Sequence, residues 1–330
     1  MPRINVGIDL RSPGRRRFLK IAGITAAGAA LPFPVAGAQS KLNVGYMKIG
    51  DLSPLFLAIE KAFFKDAGLE INLASMVGGA AIMPALASGS INIGWSNVIS
   101  VYQGHLQGFD FRFVANGAIN KRDTNDVFGI CVTPDSPIKS AKDLAGKTVA
   151  VNTLRNIMHA ATAHWVDSNG GESAKVKWVE IPFPQMALAL ANKQVDAYGA
   201  VEPFITVPVL NNQARLLGRQ LGAMAERLII ASYFGSEAWI AKNVSVVKSF
   251  VAALNRGIDV HNANPDEAKA VLARHTGLKA GLFKDMPLPA FEKTILEADF
   301  QPMLDVALRY KFVERKFPIS EVISRHSQAW

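Results

Sequence analysis

The segment ALASGSINIGWSN at residues 85–97 returns as ALANKQVDAYGAV at 189–201, an offset of 104 positions. The match is one of pattern. Ala-Leu-Ala is followed by three polar or small residues, a β-branched Ile91 or Val195, Asn92 or Asp196, then small residues and an aromatic. That order reads as a helix end feeding a buried strand. Upstream, LNVGYM (42–47) pairs with KTVAVN (147–152), and GLEINLAS (68–75) with AKVKWVEI (174–181), all strand-like. Each copy therefore reads strand, helix, strand, helix, strand. Parallel neighbours need a long crossover that a helix supplies, so this alternation predicts an α/β chain with mostly parallel sheets. Two copies predict two sheets and two lobes.

A chain of 330 residues, 49% hydrophobic and 19% charged, can bury one large or two ordinary cores. Its net charge of +9 is concentrated at the start. The first 38 residues hold Arg3, Arg11, Arg15, Arg16, Arg17 and Lys20 against Asp9, and the remainder balances 30 basic groups against 26 acidic ones. That mild, even excess argues against a nucleic-acid partner. RRRFLK (15–20) precedes an Ala/Gly-rich apolar run from Ile21 to Phe33, and Ala36-Gly37-Ala38 supplies a small-residue cleavage pattern. The segment resembles a twin-arginine export signal, although Gly14 stands where that pattern has Ser or Thr, which leaves the general secretory route open. A run of 13 residues is short of the ~20 that span a bilayer, so cleavage near Ala38 and no stable membrane insertion are expected. Cys131 is the only cysteine, which excludes an intrachain disulfide and a thiolate metal cluster.

FRFVAN (111–116) reads as one more strand of the first lobe, and VFGICV (127–132) as a strand leaving it. LIIASYF (228–234) leads the chain back. Two crossing strands make a hinge, with Gly129 and Gly235 as places where the backbone can adjust. The expected division is an export signal over 1–38, lobe one over 39–128 and 235–330, and lobe two with the hinge strands over 129–234. Val247, Phe250, Val251, Leu254, Ile258 and His261 recur at helical spacing, and Asn264-Pro265-Asp266-Glu267 reads as a cap with a favourable first turn. Residues 286–330 read as shorter helices packed on the outside.

With these motifs in hand, LAIEKAFFKDAGLEI (57–71), ALASGSINIG (85–94), SAKDLAGKTVAVNT (140–153) and ALANKQVDAYGAVEPF (189–204) together resemble the substrate-binding proteins of ABC importers, over about residues 41–260. The resemblance is to the group serving sulfonates, nitrate, taurine and pyrimidine thiamine precursors. It implies a two-lobed periplasmic-binding-protein fold of type II, a periplasmic location, monomeric behaviour, and an ABC permease with its ATPase as partners. It also implies binding without chemistry, no cofactor and no metal. The solute would be a sulfonate, an aromatic carboxylate or a pyrimidine.

In such sheets the strand carboxyl ends and helix N-termini face a crevice, where unpaired N–H groups meet a ligand. Six turns are expected to line it: 48–53, 76–80 and 95–97 in one lobe, and 152–156, 182–185 and 199–204 in the other. Trp95 can stack on a ligand or pack in the core. Ser96 and Asn97 are natural N-caps, and Asn152, Thr153 and Asn156 open the next helix. Arg155 is a cation near a helix N-terminus, which needs solvent or an anion. Glu202 suits a first helical turn or a ligand N–H, and the resemblance places its Glu-Pro pair at the cleft. Phe204 and Tyr233 are aromatics at or near the turns, and with Trp95 they favour a small, flat organic solute over bare nitrate. Gly78-Gly79 lacks the Lys-Ser/Thr of a P-loop. An enzyme on the same fold, making pyrimidine or menaquinone precursors, is the rival reading, but no GxSxG, HExxH or Cys-His spacing is present. A ligand sensor for a membrane receptor is the other.

Overall fold

The computed structural model describes residues 39–122, 126–222 and 224–327. The expected export signal and its cleavage point fall outside them. The first copy consists of β1 (Ser40–Tyr46), α1 (Ser53–Glu60), β2 (Leu69–Ser75), α2 (Gly79–Ala87) and β3 (Ile93–Asn97). α3 (Val98–Leu106), β4 (Phe111–Asn116), β5 (Ile119–Lys121) and β6 (Phe128–Val132) follow. The second copy is β7 (Thr148–Val151), α4 (Ile157–Ser168), β8 (Lys177–Glu180), α5 (Phe183–Ala191) and β9 (Ala197–Val201). Then come β10 (Arg215–Arg219), β11 (Arg227–Ile229), β12 (Ala231–Ser236), α6 (Val244–Ala263), α7 (Pro265–Thr276) and α8 (Glu297–Arg309).

These strands form two sheets of one plan, β2-β1-β3-β12-β4 and β8-β7-β9-β6-β10. In each, the first three strands are parallel and the fourth is antiparallel to them. The duplicated segment superposes element on element, since α2 and α5, like β3 and β9, begin and end 104 residues apart. Its Asn/Asp position performs one task twice. Asn92 Oδ1 accepts from the Asn43 N–H at 2.9 Å, and Asp196 Oδ2 accepts from the Thr148 N–H at 2.8 Å. Their own N–H groups donate to the carbonyls of the same two residues. Each clamp ties the strand about to begin to its neighbour in the sheet and satisfies groups that burial would otherwise penalise.

The expected strand at 228–234 divides at Ile230. Its first part is β11, which pairs with β5 as a two-stranded antiparallel ribbon, and its second part is β12, inside the first sheet. The first sheet thus recovers the chain at Ala231, four residues before the expected return at 235. The ribbon of β5 and β11 is the pair of crossing strands. Gly129 and Gly235 lie outside it, opposite Ala200 and Arg112 within the two sheets, so neither sits at the crossover. Arg227 on the ribbon donates to Asp299 at 2.5 and 2.7 Å and pairs with Glu292, which Lys121 also meets.

α6 presents the expected face, with Val247, Phe250, Val251, Leu254, Ile258 and His261 all buried. Asn264 caps α7 by accepting from the Glu267 N–H. Among the described residues, the C-terminal stretch contains the 13-residue helix α8 and a short 3-10 helix at Ile319–Val322, and the segment between them reaches across to the second copy, where Tyr310 Oη donates to Asp167 Oδ2 at 2.8 Å. No helix among the described residues is long and apolar enough to cross a membrane.

Candidate functional site

Residues from all six strand-end turns line one cavity of about 30 Å³ between the two sheets. Ile49 and Asp51 come from the turn after β1, Gly79 from the start of α2, and Trp95 and Asn97 from the end of β3. The second copy adds Asn152, Asn156, Phe183 and Val201, and the strands beside the crossing ribbon add Phe128, Ile230 and Ala231. That volume holds one or two water-sized groups, so a solute with a ring requires the two bodies to part or must extend outward. Outward lies a cleft of about 630 Å³, which shares Gly79 and Asn156 with the cavity.

The helix caps leave little polar capacity unused. Asn97 Oδ1 accepts from the Ser100 N–H at 3.1 Å, and its amide donates to Ser100 Oγ. Asn156 Oδ1 accepts from the His159 N–H at 3.1 Å, and its amide donates to Asn152 Oδ1 at 3.0 Å. Both capping readings hold. Asn152 keeps its own Nδ2 beside the Gly78 loop of the first copy. Trp95 is 2% exposed, and its Nε1 has no acceptor among the described residues. Gly117 leaves room for that indole edge, since a Cβ there would lie 2.7 Å from Nε1.

The other expected residues are not in the cavity wall. Ser96 is fully buried under Gly79. Thr153 and Arg155 line the outer cleft. The Arg155 guanidinium donates to the carbonyls of Lys311 at 2.8 Å and Phe312 at 3.3 Å, and its backbone sits in the left-handed region. Those carbonyls supply the partner that a cation at a helix N-terminus needs. Glu202 is 0% exposed and closes a local network: it accepts from the Thr206 N–H, from Thr206 Oγ1 and from Arg219 Nη1 at 3.1 Å. Burial still raises its pKa, against those hydrogen bonds and the Arg219 charge. Its backbone carbonyl accepts from the Gly50 N–H at 3.0 Å, joining the two copies across the cavity floor. Phe204 stacks on Phe183 with centroids 5.6 Å apart, and Tyr233 meets Phe250 edge-on inside the core.

Asp51 is the residue that sequence reasoning did not single out. It lies within an expected turn, but Gly-Asp-Leu ahead of Ser-Pro reads as an ordinary solvated helix start. In the structure it is 1% exposed, and neither carboxylate oxygen has a donor among the described residues. Burial, and then the like charge of Glu202, push its pKa up to about 7. Among the described residues it is the one ionisable group in the cavity lining.

Comparison with known proteins agrees with this architecture. The NMT1/THI5-like family model matches residues 50–268. A putative aliphatic sulfonates-binding protein of Bacillus subtilis is 22% identical over 283 residues, 82% of each chain. The riboflavin-binding protein RibY of Chloroflexus aurantiacus is 25% identical over 256 residues, 74% of this chain and 69% of that one. The crystal structure of the periplasmic aliphatic sulphonate binding protein SsuA from Escherichia coli superposes with a TM-score of 0.71 at 20% identity, covering 86% of this chain and 92% of that one.

Proposed function

The chain belongs to the NMT1/THI5-like family, and from that premise we propose that it is an extracytoplasmic solute-binding protein. It captures a small flat organic solute between its two lobes and delivers it to an ABC permease driven by an ATPase. One observation carries this reading: six turns from two duplicated sheets converge on a single cavity walled by Trp95, Phe128 and Phe183. A solute touching both copies binds the closed arrangement better than the open one, and that difference drives closure. The relatives that bind sulfonates and riboflavin support a solute within the range expected from the sequence. The basic, apolar leader and the family together support export to the periplasm.

The cavity wall favours binding over chemistry. Its described lining residues include no Ser, Thr, Cys, His or Lys, and Asp51 has no partner base or nucleophile among them. Ser53 Oγ and His261 Nδ1 are 2.8 Å apart, but both are buried outside the cavity lining, and burial pushes the imidazole down to about 4. A thermal-shift screen of the purified protein against sulfonates, aromatic carboxylates and nitrogen heterocycles tests the reading. A ligand at a hundred times its dissociation constant adds about 2.7 kcal/mol to native stability. A folded protein that responds to none of the three classes would remove the proposal.

A further inference from the structure

We propose that the cavity recognises its solute through a cationic or N–H-bearing nitrogen docked on the Asp51 carboxylate, so that simple anions such as sulfonates and nitrate are excluded from it. This rests on the solute-capture reading and narrows it. A buried carboxylate is ordinarily met by hydrogen-bond donors or by a cation. Among the described residues Asp51 has neither, although it is 1% exposed and forms part of the cavity wall.

The surroundings supply no substitute. Glu202, at the end of β9, faces Asp51 as a second carboxylate, and its own cation, Arg219, is spent on it. Tyr233 on β12 is raised further by the Asp51 charge, so it too feels a negative neighbour. His261 on α6 is engaged with Ser53 and kept uncharged by burial. An anion entering the cavity would meet the Asp51 carboxylate, with Glu202 close by outside the lining and no cation among the described lining residues, at a depth where water screens little. A cation or N–H donor would instead satisfy the group left over.

The opposite requirement comes from Trp95 Nε1, which has no acceptor, and from the Asn152 amide, of which only the carbonyl oxygen is engaged within the cavity wall. A solute with a donor nitrogen on one edge and an acceptor on the other would serve both. Trp95, Phe128 and Phe183 suit a flat ring, and aromatic faces favour a cation beside them.

The test uses shape-matched probes of opposite charge on the purified protein. Guanidinium, 4-aminopyridine and benzamidine form one series, and nitrate, benzenesulfonate and benzoate the other, each read by thermal shift and calorimetry in the wild type and Asp51→Asn. At least one nitrogen cation should raise the melting temperature of the wild type, and Asp51→Asn should weaken its affinity tenfold or more. Without any variant, wild-type affinity for benzamidine, which stays charged throughout, should fall as pH drops from 8 to 5 and the carboxylate takes up a proton. An anion that stabilises the wild type, with affinity unchanged or improved in Asp51→Asn, would overturn this inference and leave solute capture standing. No response to either series, with the wild type folded, would overturn both.

Discussion

At the scale of single residues, Asp51 carries a stability cost whose sign can be followed through pH. Its folded pKa of about 7 lies above the ordinary value of 3.8. Below about pH 4 it is protonated whether the chain is folded or not, and it costs nothing relative to Asn. Between there and pH 7 the folded chain retains a proton that the unfolded chain has released, so stability falls as pH rises. Above 7 the full deficit is present. Asp51→Asn should therefore be more stable than the wild type at pH 8, by up to about 4 kcal/mol, with the two converging near pH 4. Urea unfolding at the two pH values measures this, and a constant difference across the range would contradict it. A second residue-scale effect follows from the repeat. After α2 the chain turns through Gly89 at φ 76°, whereas the equivalent turn after α5 places Lys193 at φ 57°. A Cβ is disfavoured in that region, and Lys193 is exposed. Lys193→Gly should raise the urea midpoint, corresponding to a gain of about 0.5–1 kcal/mol.

At the scale of elements, the crossing ribbon is held less by its three residue pairs than by what Arg227 reaches. Asp299 is 3% exposed, and its carboxylate is bonded to the Arg227 guanidinium. Arg227→Ala leaves that carboxylate buried and unpaired, which should cost about 3 kcal/mol in chemical denaturation. Arg227→Lys should recover only part of it, because an ammonium cannot reproduce the bidentate fork. Sequence alone could not reveal this pair, since 72 residues separate its members. The same limit explains the site. The helices and strands of the two copies were legible because periodicity and the Asn/Asp clamp are local signals, and the six turns followed from strand polarity. Whether a side chain in a turn meets solvent, a ligand or another segment is decided by distant chain. Arg155 finds carbonyls 156 and 157 residues away, Glu202 finds Arg219 on the next strand, and Asp51 finds no donor among the described residues.

At the scale of the whole molecule, the two copies meet along two separate lines. The inner one is the floor, where the Gly50 N–H reaches the Glu202 carbonyl at 3.0 Å. A Cβ on Gly50 would stand 3.3 Å from that carbonyl oxygen, so the small residue permits the approach. The outer line is a clasp at the cleft mouth. Arg155 holds the Lys311 and Phe312 carbonyls, Gln103 Nε2 donates to the Arg155 carbonyl at 2.8 Å, and Tyr310 holds Asp167. None of these clasp residues lines the inner cavity, although Gln103, Arg155 and Phe312 line the outer cleft. Removing the clasp should therefore leave contacts made inside the cavity intact while weakening the closed arrangement that retains the solute. Removing the Arg155 guanidinium and the Tyr310 hydroxyl loses three hydrogen bonds, two of which share Arg155 Nη2, and a net worth of about 1–2 kcal/mol together corresponds to roughly a 5- to 30-fold change in the balance of closed and open forms. The double variant Arg155→Ala, Tyr310→Phe should accordingly release a bound solute 5 to 30 times faster by about that ratio, with little change in association rate. Stopped-flow displacement of a solute identified by thermal shift measures both rates. If the variant instead slowed association and left release unchanged, the segment after α8 would act in solute entry and the floor contact alone would account for retention.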